Sequence, residues 1–352
     1  MYNHLEFKDV NSHDSTNYDE LIQLAYDNYT YNSNCLDLSL LNITDSGTLL
    51  TGKDELQMTQ TAFVSLCHRL HIPDPFAKYI PWDLLKHNIE TLANDSDQQV
   101  QLFTRPSDGV VVNVASDNFV PVNHKVFIDS IREHSPNVKR GVISDINMQI
   151  DVTNPTFNEG TDFGEMEIEK GDIIESGLNF NNSTAGHNYT NAKIFLWRLV
   201  CTNGMTMPTR VGFVKLRSKV GRKIDVAVAR FLKNVQQLSV NAANTEQQFK
   251  SLNRPFDVVE FSKYWKGVEK IVRDPEAVDD DIFQVDPDER RLYMAQDRAY
   301  KKGTLDKIEP SKVNGYKMVN NLTNRAKEFE QIIQSKMEAF GGKIVADQIG
   351  KA

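Results

Sequence analysis

Five acidic residues fall where metal-dependent cleavage of a phosphodiester would want them. Asp145 and Asp151 lie in one alternating apolar stretch, and Glu165, Glu167 and Glu169 alternate in the next. Residues two apart in a strand share a face, and carboxylates on adjacent strands can hold two magnesium ions. The pattern also describes the solvated outer face of an antiparallel sheet. No lysine or histidine stands beside it at a telling spacing, so the outer face is the preferred reading. Cys201 precedes Thr202-Asn203-Gly204 and would be a nucleophile if His187 or His124 served as its base. A cysteine closing an apolar strand is more often buried and inert. Asn203-Gly204 itself reads as a tight turn. Cys67, His68 and His71 fit no zinc-ligand spacing. Ser183–His187 is short and polar enough for an anion-binding backbone nest, but no Gly-x-x-x-x-Gly-Lys-Ser/Thr accompanies it. Neither metal nor cofactor is expected.

Binding chemistry is better represented. Between Arg210 and Lys233 stand Arg210, Lys215, Arg217, Lys219, Arg222, Lys223, Arg230 and Lys233, against Asp225 alone, a local charge of 8 − 1 = +7. Such a run tracks phosphates and releases counterions from a nucleic acid. Lys139-Arg140 would extend it. Tyr189, Trp197 and Phe213 are the nearby aromatics that could stack bases, although Trp197 and Phe213 read first as core. Tyr18, Tyr26, Tyr29 and Tyr31 could stack too, but read better as packing residues.

The whole chain of 352 residues carries a net charge of −8, which by itself speaks against a polyanionic partner. The local field decides, because charges are screened beyond about 8 Å at physiological salt. The acids concentrate in residues 14–55, 159–175 and 274–289. Three distant cysteines, Cys35, Cys67 and Cys201, argue against a disulfide framework and for a reducing compartment. No apolar run approaches the roughly 18–20 residues that cross a bilayer, and Met1–Glu6 does not open like a signal peptide.

The elements that must position these residues alternate along the chain. Thr59 or Thr61 can cap a helix with Ala62, Phe63, Leu66, Cys67 and Leu70 on one face, and Pro81 opens a second helix that runs to Leu92. Gln99–Thr104 and Val110–Ala115 predict a hairpin about Arg105-Pro106-Ser107-Asp108-Gly109. A loop, Ser116–Asn123, leads to a helix over Asn123–Glu133. Val142–Thr153 predicts one long strand, followed by Glu165–Glu169, Ile173–Phe180 and Ile194–Val200. Helices are expected over Asp225–Leu238, Asn241–Leu252, Phe256–Arg273, Asp286–Tyr300 and Val319–Phe340, with Gly341-Gly342 ending the last.

Several of these segments resemble a known family. They are Met58-Thr59-Gln60-Thr61-Ala62-Phe63 with Leu66–Pro73, Ala115–Asn123, Asn181-Asn182-Ser183-Thr184-Ala185-Gly186, and Arg198-Leu199-Val200-Cys201-Thr202-Asn203-Gly204-Met205. Over roughly Met58 to Leu238 the chain resembles the phage/plasmid-like proteins grouped as domain of unknown function 932. Thr184 stands where the family pattern has glutamate, so no acidic role is carried over there. The resemblance implies a phage origin and a bacterial cytoplasm, but no catalytic residues. It also invites analogy with phage single-strand annealing proteins, which share a small sheet, helices and a basic groove.

The combined expectation is an α+β fold, an antiparallel or mixed sheet core packed with helices. Residues 1–55 would form a polar arm, 56–255 the core and 256–352 a helical C-terminal extension. The expected work is binding single-stranded DNA, extending to strand annealing in phage replication or recombination, by a homo-oligomeric ring or filament away from membranes. Arg210, Lys215, Arg217, Lys219, Arg222 and Lys223, with Lys139 and Arg140, are the expected phosphate contacts. The alternatives are a metal-dependent nuclease using the strand carboxylates, or a protein-interaction factor.

Overall fold

A computed structural model describes residues 5–52, 54–155, 164–169, 171–198, 203–206, 213–216, 223–238, 251–272, 285–307, 310–329 and 331–347. Antiparallel strands and amphipathic helices alternate along them, an α+β fold. The chain forms two compact units. The first comprises Met1–Asp151, Phe180–Asn191 and Lys215–Leu232, and the second Val152–Asn179, Ala192–Val214 and Lys233–Ala352.

In the first unit, β1 (Ser12–Ser15) leads to α1 (Tyr18–Asn28), whose first amides are capped by the Asn17 carboxamide. Strand β2 (Asn32–Asp37) is followed by a 3-10 turn, Leu38–Leu40, and the small sheet β3 (Leu41–Ile43), β4 (Leu49–Thr51) and β5 (Asp54–Leu56). Residues 1–55, polar in composition, thus supply Leu38, Leu41, Ile43 and Leu49 to a core shared with Phe63, Leu66, Ile89 and Val100. A few apolar residues at irregular spacing are enough to bury this segment, although its average polarity suggests an arm. Thr59 caps α2 (Gln60–Arg69) by accepting from Ala62 N, and the helix buries the expected Ala62, Phe63, Leu66 and Cys67. Helices α3 (Asp74–Tyr79) and α4 (Trp82–Asn94) follow, each entered through a proline.

The hairpin of β6 (Gln99–Thr104) and β7 (Val111–Ser116) forms where the sequence places it. Gly109 takes φ +69° in its turn, a left-handed conformation that suits glycine. Strand β2 adds to the far edge of β6, with Asn32 opposite Thr104. Asn123 then caps α5 (His124–Arg132), which buries Phe127, Ile128 and Ile131.

The long strand expected over Val142–Thr153 is instead two, β8 (Val138–Ser144) and β9 (Met148–Thr153). Ser144 N–H donates to Asn147 O at 2.9 Å, and the Ser144 hydroxyl also bonds Asn147 O. Asp145-Ile146 is therefore the tip of a hairpin turn. Alternating hydrophobicity continues across such a turn, which is why the sequence pattern does not register it. Strand β1 pairs antiparallel with β8, Ser15 opposite Gly141.

The chain continues through β10 (Glu165–Glu169), β11 (Asp172–Asn182), β12 (Asn191–Arg198), β13 (Asn203–Thr206), β14 (Phe213–Lys215) and α6 (Ile224–Gln236). In the second unit β10 pairs with β11 and β12 with β13. Asn203-Gly204, expected as a tight turn, is instead strand, with Gly204 opposite Trp197 and Asn203 opposite Arg198. Pairing with β12 overrides the local turn preference of Asn-Gly.

The rest of this unit holds β15 (Pro255–Asp257), α7 (Val258–Val272), α8 (Pro287–Lys301), β16 (Pro310–Asn314), α9 (Gly315–Arg325) and α10 (Gln331–Ala346). The single helix expected over Val319–Phe340 is thus two, separated by a 3-10 turn at Ala326–Glu328 and an extended Phe329. Helix-spaced apolar residues stand on both sides of the break, so the sequence pattern does not register it. Gly341-Gly342 does not end α10. Beyond the glycines Ile344, Val345 and Ala346 are buried, and this packing outweighs the roughly 0.5–1 kcal/mol that each helical glycine costs. Phe340 meets Gly267 of α7, where a Cβ would overlap its ring. The Asn241–Leu252 helix expected from the sequence lies mostly outside the described residues, and Ser251–Asn253 is a 3-10 turn. Among the described residues, no helix is long and apolar enough to cross a membrane.

Gly177 on β11 offers a test of sheet packing in the second unit. A Cβ there would overlap the Val152 carbonyl, whereas at Gly164 it would meet open space. Gly177→Ala should lower unfolding free energy by about 1–3 kcal/mol or more, the usual cost of overpacking. Gly164→Ala should change it by less than about 0.5 kcal/mol. Chemical denaturation of both variants reads the difference.

Candidate nucleic-acid interface

The polar run Asn181–His187 is the point from which the first unit's loops are hung. Asn182, Ser183, Thr184 and Ala185 are all buried. The Asn182 carboxamide donates from Nδ2 to Val122 O at 2.8 Å and to His124 Nδ1 at 3.1 Å, and its Oδ1 accepts from the Thr190 hydroxyl at 2.6 Å. Thr184 Oγ1 also donates to Val122 O, and Ser183 Oγ to Ile146 O. Asn113 Nδ2 donates to Ala185 O, and His187 Nε2 to Val112 O. Gly186 stands at φ +90° under the Phe119 ring, which a Cβ would strike. The segment is thus consumed by internal bonds to the loop 116–123, to β7 and to the β8–β9 turn. It is a structural lattice, whereas the sequence left an anion-binding nest open.

Both histidines weighed as a base for Cys201 are part of that lattice. Burial pushes the His124 imidazole down to about 3, and its Nδ1 accepts from Asn182. Burial likewise lowers His187 to about 4, opposed by the bond to Val112 O. Each is neutral and already engaged. Cys201 lies outside the described residues.

The carboxylates separate into two groups. Asp145 and Asp151 are buried, not on a solvated face. The tip position of Asp145 turns it inward onto Arg105 Nη1 at 3.1 Å, Asn11 N at 2.8 Å and Tyr31 Oη at 3.2 Å. Burial raises its carboxyl above the usual range, against those three partners. Arg105 is itself buried, and also grips Asp108 and the Asp9 carbonyl. Asp151 accepts from Arg140 Nε and Nη2 at 2.8 and 2.7 Å. Glu165 and Glu167 are exposed on β10, as expected for an outer face. Among the described residues, no three His, Cys, Asp or Glu side chains gather as a metal site.

The basic segment is described over residues 213–216 and 223–233. Arg210, Arg217, Lys219 and Arg222 lie outside the described residues. Lys215 and Lys223 are exposed, and Lys139 is half-buried. Arg140 is half-buried too, with its guanidinium on Asp151, so its charge is compensated within the fold. Helix α6 follows its apolar periodicity. Val228, Phe231, Val235 and Leu238 are buried, with Phe231 against Phe127 and Phe180. The opposite positions, at intervals of three and four, are Lys223, Val226, Arg230 and Lys233, all exposed. Lys223 adds its charge to the positive end of the helix dipole, with Asp225 as the local offset.

Lys215 sits with its Nζ 3.7 Å from the centre of the Tyr189 ring. Leu216 N–H donates to Thr190 O at 2.9 Å, which fixes the stretch at Lys215 alongside Tyr189. Tyr189 stood among three aromatics in the sequence, and nothing in the spacing singled it out. Trp197 and Phe213 are half-buried. Among the N-terminal tyrosines, Tyr18 and Tyr29 are buried, Tyr31 is bonded to Asp145, and Tyr26 is exposed.

Comparison of the chain with protein-family models, curated proteins and solved structures gives no match.

The two lattice histidines set a pH dependence. The unfolded chain takes up a proton at each near the ordinary value of about 6.5, while the folded chain refuses it until about 3 for His124 and about 4 for His187. Stability should therefore be flat in these groups above pH 7 and fall as pH drops below about 6.5. The slope is at most about 1.4 kcal/mol per pH unit per histidine. Asp145, with its raised carboxyl, acts in the opposite sense, so the decisive readout is a variant. His187→Gln should flatten the loss between pH 7 and 5, measured by chemical denaturation.

Proposed function

We propose that this chain binds single strands of nucleic acid, DNA by preference, through the basic segment between Arg210 and Lys233. The observation that carries the reading is a charge of +7 within 24 residues of a chain whose total is −8. Its support in the fold is the exposure of Lys215, Lys223 and Arg230, while Asp145 and Asp151 are held by arginines inside the structure. Such a run displaces the counterions condensed on the phosphates into solution, which gives affinity without sequence readout. Arg210, Lys215, Arg217, Lys219, Arg222 and Lys223 are the proposed phosphate contacts. Lys139 adds to them, and Arg140 would contribute only by sharing its guanidinium with Asp151. The motif resemblance suggests the setting, strand annealing during phage replication or recombination in a bacterial cytoplasm. A ring or filament of identical chains would suit that work. The proposed activity uses no ATP and no metal.

The test is a titration of fluorescent single- and double-stranded oligonucleotides at 50 and 200 mM salt, with and without magnesium, with a gel for cleavage. Single strands should bind tightly and intact, with strongly salt-dependent affinity. Replacing Arg217, Arg222 and Lys223 together by Glu should weaken binding and reduce the salt slope by about 2, at roughly 0.7 per lost phosphate contact on single strands. Unchanged affinity in a folded variant would remove the patch. Magnesium-dependent cutting would turn the reading toward a nuclease, and absence of binding at low salt would leave a protein-interaction role.

A further inference from the structure

Tyr189 follows a short exposed bend and opens a buried stretch. Asn182–Ala185 and Thr190, Asn191 and Ala192 are buried, Gly186 and His187 are half-buried, and Asn188 is exposed. Tyr189 keeps 49 % of its surface exposed. Its backbone is nevertheless held on the C-terminal side. Asn191 Nδ2 donates to Tyr189 O at 3.0 Å, the Thr190 hydroxyl is bonded to Asn182, and Thr190 O accepts from Leu216 N. The exposed ring is thus carried on a fixed backbone rather than on a loose loop tip. Lys215, the first described cation of the basic segment, lies against this ring.

An exposed lysine over tyrosine stabilises a fold by only about 0.5–1 kcal/mol, which gives little reason to leave a large aromatic in solvent. An aromatic ring beside a backbone-tracking cation has a more specific use. It offers a π-face to an unpaired base while the ammonium takes the adjoining phosphate. Because the backbone that carries the ring is already held, stacking costs less further ordering. We infer that Tyr189 is a base-stacking platform for single-stranded nucleic acid, with Lys215 as its phosphate partner. This rests on the proposed function and adds what that reading lacks, a means of preferring unpaired over paired strands. Duplex bases are already stacked and present no face to Tyr189.

The experiment uses the full chain with three probes at fixed salt: oligo-dT, an abasic oligonucleotide of the same length, and duplex. Tyr189→Ala should weaken oligo-dT binding about 5- to 100-fold, as expected for loss of one stacked base, and leave its salt slope unchanged. Tyr189→Phe, which keeps the π-face, should bind like the unaltered protein. Lys215→Gln should instead lower the salt slope by about 0.7, one phosphate contact on a single strand. The abasic strand should not distinguish Tyr189→Ala from the unaltered chain. Thermal unfolding of each variant checks the fold. If the unaltered protein binds oligo-dT and Tyr189→Ala binds it equally well, the stacking role is overturned while the charge-based reading stands. A loss that Tyr189→Phe shares would also overturn it, since the hydroxyl rather than the ring would then matter. If the unaltered protein binds none of the probes at low salt, both fall together.

Discussion

Asn182 is wholly enclosed, so each of its polar atoms must find a partner within the protein or cost the full penalty of an unmet hydrogen bond. It meets that demand by reaching Val122 and His124 at the entry to α5 and Thr190 further along the chain. Much else in the first unit follows. Asn182 fixes the entry to α5 through Val122 and His124, and it fixes the backbone beside Tyr189 through Thr190. Thr190 in turn receives Leu216, next to Lys215 of the basic segment. A single carboxamide therefore connects the interior of the fold to the surface that carries the proposed function. The same enclosure explains why His124 stays neutral.

The broad architecture was legible because it rests on local signals. Thr59 is a helix cap with an apolar face behind it, the loop before Asn123 leads into a helix, and Arg105–Gly109 is a turn between two alternating runs. Each appears as the residues indicate. The misread elements have two physical causes, tertiary packing that overrode a local preference and breaks that the hydrophobic pattern does not record. Asn203-Gly204 joins a strand because β12 lies beside it, α10 runs through two glycines because Ile344 and Val345 find a core, and Ser144–Asn147 turns within an uninterrupted alternation. The site was legible as charge and not as geometry. Lys215 stands 26 residues from Tyr189, and no spacing rule joins a lysine to a ring across that distance.

The carboxylates show how composition and environment diverge. Five acids near one another in sequence suggested a shared face, yet Asp145 and Asp151 point into the fold onto Arg105 and Arg140, while Glu165 and Glu167 face solvent. Buried pairs of this kind seldom add net stability over an apolar filling, but removing one partner strands the other charge, at a cost of about 3–5 kcal/mol. Their effect here is geometric. Arg105 binds Asp145, Asp108 and the Asp9 carbonyl at once, and so joins two turns and the N-terminal segment.

That clasp also bears on the order in which the chain assembles. Asp145 meets Asn11 across 134 residues, Tyr31 across 114 and Arg105 across 40. Contacts so far apart in sequence form only after long loops have closed, which places them late and makes the route slow. Until residues 9–31 and the β8–β9 turn have come together, Asp145 has no reason to leave water. A chain emerging from synthesis offers its N-terminal strands long before their partners exist. Strand β1 must then wait, unpaired, for β8 to arrive.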